Sequence, residues 1–194
     1  AICVLSSRIH RWSIEASFNL LTAISYRRQH PSCVLRLKVA KAENPADLRI
    51  VVDSDADHGV NRSQSCAYVS LEGPRGTRVP LEYTTKRQGF VASSTAWAEL
   101  IAAHLAVRVS FKVAMIVGDL IPEDGAVPVT LRIDNESGKT IVRTGHSAKL
   151  AIAQKCTKVR LAFTRDCIRH GLLEVTYVNT KLNRANLGTK ALPR

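Results

Sequence analysis

Between Ser93 and Gly118 the chain is rich in Ala and Val, and wound as a helix it is apolar on nearly every side. A helix of that kind has to be buried, so the rest of the chain must supply layers that cover it. Ser93-Ser94-Thr95 offers hydroxyls to cap its start, and Gly118 suits its end. Strand patterns flank it. Leu48 to Ser54 is a largely apolar run that ends in the acidic cluster Asp53-Ser54-Asp55-Ala56-Asp57. Cys66 to Leu71 and Arg78 to Thr84 read as two further strands, and the Gly73-Pro74-Arg75-Gly76 turn between them predicts a hairpin. Val129, Leu131 and Ile133 alternate with Thr130 and Arg132, a strand that delivers Asp134 at its end. Ser137 to Thr144 reads as a short helix and Lys149 to His170 as a longer one closed by Gly171. Leu173, Val175 and Tyr177 mark a last strand, and Leu182 to Lys190 a short terminal helix.

Upstream, Ile14, Phe18 and Leu21 follow helical spacing until Pro31 stops the element, and Leu35, Leu37 and Val39 alternate as in a strand. Ala42 to Asp47, with Asn44-Pro45, reads as a turn. Three meandering strands followed by alternating helices and strands imply an α/β domain: a mixed sheet covered by helices. The division expected is an extension over 1–46 and one domain over 47–194.

A formal charge of +12 favours a polyanionic partner, and with aromatics at 5% the expectation is nucleic acid held through its phosphates. Five cysteines without a CxxC pair make neither a zinc site nor a disulfide framework, which points to a reducing compartment. The first forty residues hold Glu15 as their only acid beside several Arg and Ser, a composition typical of organelle import, so a mitochondrial location is expected. No uninterrupted apolar run reaches the roughly 18 residues of a membrane helix. The longest candidate, Val107 to Leu120, is broken by Arg108 and Lys112, and no membrane partner is expected.

Asp55 follows one core strand, Glu99 sits in the first turns of the long helix, and Asp134 ends another core strand. Strand ends and a helix start can converge at one edge of a mixed sheet. Several hard anionic oxygens gathered there are what two-metal phosphoryl chemistry requires.

The local words carry more. Asp53-Ser54-Asp55-Ala56-Asp57 resembles the Ser-Asp-Ala-Asp-Trp segment of copia-type retrotransposon ribonuclease H domains. Lys86-Arg87-Gln88 and Ser93-Ser94-Thr95-Ala96-Trp97-Ala98-Glu99-Leu100 are similar to their Lys-Lys-Gln and Ser-Thr-Ala-Glu-Ala-Glu-Leu stretch. Ile133-Asp134-Asn135-Glu136-Ser137 resembles Cys-Asp-Asn-Gln-Ser. Tyr177-Val178-Asn179-Thr180 and Ala185-Asn186-Leu187-Gly188-Thr189-Lys190-Ala191-Leu192-Pro193 resemble the closing words. The order and spacing are the family's from about Leu48 onward. Asn19 to Pro31 resembles the helix that ends the reverse transcriptase in the same polyproteins, whose catalytic part has no counterpart in these residues.

The resemblance implies a ribonuclease H-like fold, a five-stranded mixed sheet flanked by helices. It places three metal-binding carboxylates on Asp55, Glu99 and Asp134, and the fourth position on Asn186, whose amide brings no charge. Trp97 stands where the family has an acid, Lys155-Cys156-Thr157-Lys158 departs from Lys-His-Ile-Asp, and His58 replaces an aromatic. These changes imply an eroded site: no cofactor is required, and Mg²⁺ is expected only if activity remains. His104 and Cys156 read as ordinary packing residues.

On the second long helix, Ile152, Cys156, Val159, Phe163 and Cys167 share one side, while Lys155, Lys158, Arg165 and Arg169 form a separate basic stripe. That stripe is the expected RNA-backbone surface. The expectation is a domesticated, inactive ribonuclease H-like protein that binds structured RNA in a ribonucleoprotein, concretely ribosomal RNA in the mitochondrial ribosome, among neighbouring proteins. The alternatives are an active Mg²⁺-dependent ribonuclease H cutting RNA in RNA–DNA hybrids, and a scaffold subunit of another organellar complex.

Overall fold

The computed structural model of the chain describes residues 12–32, 37–58, 62–120, 127–145 and 155–190, with the side chains of 155–157 outside that description. Leu37–Lys190 form one compact unit, and helix α1 (Ile14–Gln29) belongs to another. The Ser13 hydroxyl caps α1 by accepting from the Ala16 amide at 3.1 Å, and Arg27 and Arg28 suit the negative end of its dipole. Ile14, Phe18 and Leu21, the apolar stripe read from the sequence, are exposed.

The larger unit is a five-stranded sheet of β1 (Arg49–Ala56), β2 (Gln64–Glu72), β3 (Arg78–Arg87), β4 (Val129–Ile133) and β5 (Leu173–Tyr177), in the order β3-β2-β1-β4-β5. The first three strands meander antiparallel, while β4 and β5 run parallel to β1, giving the mixed sheet that the resemblance implied. Helix α2 (Thr95–Leu120) starts where the Ser94 hydroxyl accepts from the Trp97 amide at 3.2 Å. Its Ala103, Ala106, Val107 and Val113 pack with Ile50, Val52, Val69 and Leu131 of the sheet into one core. Helices α3 (Glu136–Thr144) and α4 (Lys155–Arg169) follow β4, and α5 (Asn186–Thr189) closes the described chain.

Gly76, at φ +96°, turns the β2–β3 hairpin in a conformation L side chains rarely adopt. Glu43 braces that turn, accepting from the amides of Arg75 at 3.1 Å and Thr77 at 3.2 Å. Together with Lys38, which bridges Arg78, it fastens part of the 1–46 stretch to the hairpin.

Four elements differ from the sequence reading. The alternation about Leu35–Val39 gives, among described residues, a single bridge at Lys38; Leu37 and Val39 are both exposed, so there is no buried face to extend a strand. The terminal helix is two short pieces, a 3-10 turn at Thr180–Leu182 and α5, because Asn183 and Arg184 between them bond to the sheet instead. By length and composition α2 could cross a bilayer, with a mean hydropathy of 1.8 over 18 residues, although Arg108 and Lys112 interrupt it. It serves here as the core helix, and only its last turns stand out, with Met115, Ile116 and Leu120 exposed. On α4 the buried side carries Thr164 and Cys167, with Leu161 and Ile168 packed on the core, whereas Val159 and Phe163 are exposed. The inward face is rotated by about one residue, roughly 100°, so that Thr164 is buried and Phe163 is exposed. Residues 149–154, read as the start of this helix, lie outside the described residues.

Candidate functional site

The parallel pairing of β1 with β4 brings their carboxyl ends to one end of the sheet, and α2 begins beside them. Asp55, 6% exposed at the end of the central strand β1, accepts a short hydrogen bond from the Thr189 hydroxyl. Burial raises its carboxyl above the usual range; the Thr189 bond and the Lys190 charge oppose that shift, while Asp134 and Asp57 reinforce it. Glu99, half-buried on the second turn of α2, receives the Asn135 amide at 2.7 Å. Its carboxyl is pushed up to about 7, chiefly by burial, against the Asn135 bond, with the charges of Asp134 and Asp55 adding to the shift. The three acids therefore feel one another.

Asn186 stands on the strap that follows β5. Its amide nitrogen donates to the Thr180 carbonyl at 2.5 Å, and its oxygen accepts from the Lys190 ammonium. A divalent-ion centre needs several anionic oxygens converging on one point. Among the described residues no three carboxylate, imidazole or thiolate groups converge in that way. The fourth position is an uncharged amide engaged at both ends, and a lysine ammonium lies within the field of Asp55 and Glu99. As arranged here, the described residues do not fit a two-ion centre.

Other residues singled out by sequence fall as follows. Trp97 is half-buried with its ring 5.8 Å from that of Phe90. His58 is exposed and lies 3.1 Å from the Ala92 carbonyl through Nε2. His104 meets Phe163 edge-on at 5.8 Å, and burial, with Arg160 and Arg108 nearby, pulls its pKa down to about 4. Within the basic stripe of α4, Lys158 and Arg169 are exposed. Arg165 is not fully available: its side chain lies against Gly145, the left-handed cap of α3, and its Nε is 3.7 Å from Asp166. A cation there suits the carbonyl end of α3. The side chains of Lys155 and Cys156 lie outside the description.

Sequence reasoning assigned no role to a buried ionic network beneath the edge. Asp53, fully buried, forms a two-point pair with Arg132 at 2.6 and 3.1 Å. Glu72 joins Arg132 at 3.4 Å and Arg184 at 2.8 Å, and the Arg184 amide donates to Asp53 at 3.2 Å. An acid inside the apolar run of β1, paired in register with an arginine inside the alternation of β4, was the available signal. Sequence reasoning also left out the basic rim of the acid end. Antiparallel pairing sets Lys86 and Arg87 of β3 opposite Ser65 and Gln64 at the start of β2, one strand removed from the end of β1 that carries Asp55. Both are exposed, as are Arg62 and Lys181 at the same end of the sheet, and none of the four pairs with a described carboxylate.

The five-stranded mixed sheet with its helices matches the ribonuclease H-like fold. No protein-family model matches the chain, and no curated protein matches it. Among solved structures, RNase H1 from the halophilic archaeon Halobacterium salinarum NRC-1 is similar at 16% identity and a TM-score of 0.48, over 72% of this chain and 93% of that one. LC11-RNase H1, isolated from compost, is similar at 16% identity and a TM-score of 0.49, over 73% and 95%. A foamy viral protease-reverse transcriptase solved with dsDNA matches at 12% identity and a TM-score of 0.42, over 74% and 89%.

Proposed function

We propose that this chain is a nucleic-acid-binding ribonuclease H-like protein that holds an RNA backbone without hydrolysing it, a degenerate descendant of a copia-type retrotransposon domain. The observation that carries the reading is the makeup of one sheet end. Exposed Arg62, Lys86, Arg87 and Lys181 lie at the same end as an acid set that lacks a charged fourth member at Asn186. Cations free of carboxylate partners attract phosphates and release condensed counterions on binding. Exposed Arg169 of α4 adds to the same +12 balance. The assembly proposed is a ribonucleoprotein, concretely the mitochondrial ribosome, a placement supported by charge and by the acid-poor first forty residues.

The test is the affinity of the intact protein for a labelled RNA hairpin, measured by fluorescence anisotropy across a salt series. Reversing Lys86 and Arg87 to Glu should weaken binding by on the order of tenfold or more at physiological salt and flatten the salt dependence. Unchanged affinity and slope would remove this surface from the account.

The Asp55, Glu99 and Asp134 cluster favours a second reading, an active Mg²⁺-dependent ribonuclease H, because each of these acids is placed to feel the others. Cleavage of an RNA–DNA hybrid that requires Asp55 would select it.

A further inference from the structure

The segment Asn183–Lys190 lies across the sheet as a strap. At its start the Asn183 amide, nearly fully buried, donates to the Ser54 carbonyl at 3.0 Å, and its own oxygen accepts from the Ala185 amide at 3.0 Å. Arg184 is fastened through backbone and side chain at once, to Asp53 at 3.2 Å and to Glu72 at 2.8 Å, with its guanidinium 5.4 Å from the centre of the Tyr68 ring. Gly188 rests so closely on β2 and β3 that a methyl group there would collide with the Tyr83 hydroxyl, the Thr85 methyl and the Cys66 sulfur. Three strands therefore hold the strap, and near its end Thr189 reaches the acids directly. The Thr189 hydroxyl donates to Asp55, and the Lys190 ammonium donates to Asn186 within the field of Asp55 and Glu99.

An acid at position 186 would neutralise Lys190 from one helical turn away. The amide of Asn186 cannot, so the lysine charge is left to Asp55 and Glu99. We infer that the strap is the resident occupant of the acid edge, with the Thr189 hydroxyl and the Lys190 ammonium supplying internally the positive charge and hydrogen-bond donor that a divalent cation would compete to replace. A metal ion then does not enter a waiting site. It meets the Lys190 charge near the acids, and to reach Asp55 it has to break the Thr189 bond on a strap locked by Arg184 and Gly188. This deepens the reading of the acid edge given above, but it stands on cation binding alone and would hold for a protein with no affinity for RNA.

The experiment is Mn²⁺ titration of the full chain, followed by paramagnetic broadening of the backbone amide signals, with Mg²⁺-dependent melting as a second readout. In the native sequence, Mn²⁺ at tenths of a millimolar should leave the amides of Asp55, Glu99 and Asp134 sharp. Lys190→Met changes an exposed side chain and leaves the core untouched. It should bring selective broadening at those three residues and at least a tenfold gain in Mn²⁺ affinity. Lys190→Arg, which keeps the charge, should behave as the native protein does. Gly188→Ala, which leaves every polar group in place but lifts the strap, should move in the same direction as Lys190→Met. Selective broadening in the native sequence at that concentration would overturn the inference. So would a folded Lys190→Met protein with no gain.

Discussion

One carboxamide, that of Asn135, ties Glu99 of α2 to the start of α3. Its nitrogen donates to Glu99 at 2.7 Å, while its oxygen accepts from the amides of Ser137 at 2.9 Å and Gly138 at 3.2 Å. Gly138 is close-packed at this junction, since a methyl group there would stand 3.2 Å from the Glu99 carboxylate. Asn135→Ala removes a helix cap and a bond to a charged group together. It should lower stability by about 1–3 kcal/mol in urea unfolding. Asn135→Asp keeps the cap but sets a like charge on Glu99, so it should recover only part of the loss.

Glu99 makes stability depend on pH in the direction opposite to most carboxylates. Its folded-state pKa of about 7 lies above the ordinary value of 4.5, so between these limits the folded protein binds the extra proton. Stability should fall as pH rises from 4.5 to 7 and level off above. Glu99 is partly solvated, so the drop is put at roughly 1–2 kcal/mol. Urea unfolding at several pH values measures it, and Glu99→Gln should flatten that part of the curve.

His104 acts on the acid side with the other sign. Its pKa is drawn down to about 4 from 6.5 by burial and by Arg160 and Arg108, so the folded state keeps the ring neutral. That contribution is complete above pH 6.5 and is lost as pH falls through 4. Its Nδ1 is buried without a hydrogen-bond partner, so replacing the ring with an apolar one leaves no polar group stranded. His104→Phe should reduce the loss of thermal stability between neutral and mildly acidic pH.

The Asp53–Arg132 pair is a test of what holds the strap. Arg132→Met leaves a fully buried carboxylate with the Arg184 amide as its remaining donor, and should cost about 3–5 kcal/mol. Arg184→Met removes an outer member of the network and should cost less. If the two cost the same, the network is not organised around Asp53.

The sheet was legible because its signals are local. Apolar runs of strand length, the Gly73–Gly76 turn and the alternation at Val129–Ile133 each specify their element without help from distant residues, and the five-stranded mixed sheet observed is the one the resemblance implied. The face of α4 was not legible. Cys156, Val159, Phe163 and Cys167 form the more hydrophobic stripe, but the layer beneath has room for Thr164, whose hydroxyl bonds back to the Arg160 carbonyl at 3.0 Å and so can be buried. The terminal helix failed for a related reason. Leu182–Lys190 holds Asn183, Asn186, Gly188 and Thr189, all weak helix formers, and Asn183 and Arg184 take their partners from β1 and β2 instead of continuing a helix. At the acid edge, Asp55, Glu99 and Asp134 were identified by family word and position, while Asn135, Thr189 and Lys190 act through contacts that spacing does not reveal.

The central claim is binding without hydrolysis, and the fate of an RNA–DNA hybrid tests it most directly. The intact protein is incubated with a hybrid carrying end-labelled RNA in millimolar Mg²⁺, at a concentration that binds all of it, and the RNA is resolved on a denaturing gel. The account predicts full-length RNA at every time point, with the native sequence and with Asp55→Asn alike. RNA cut by the native protein and left intact by Asp55→Asn would contradict it and establish an active ribonuclease H.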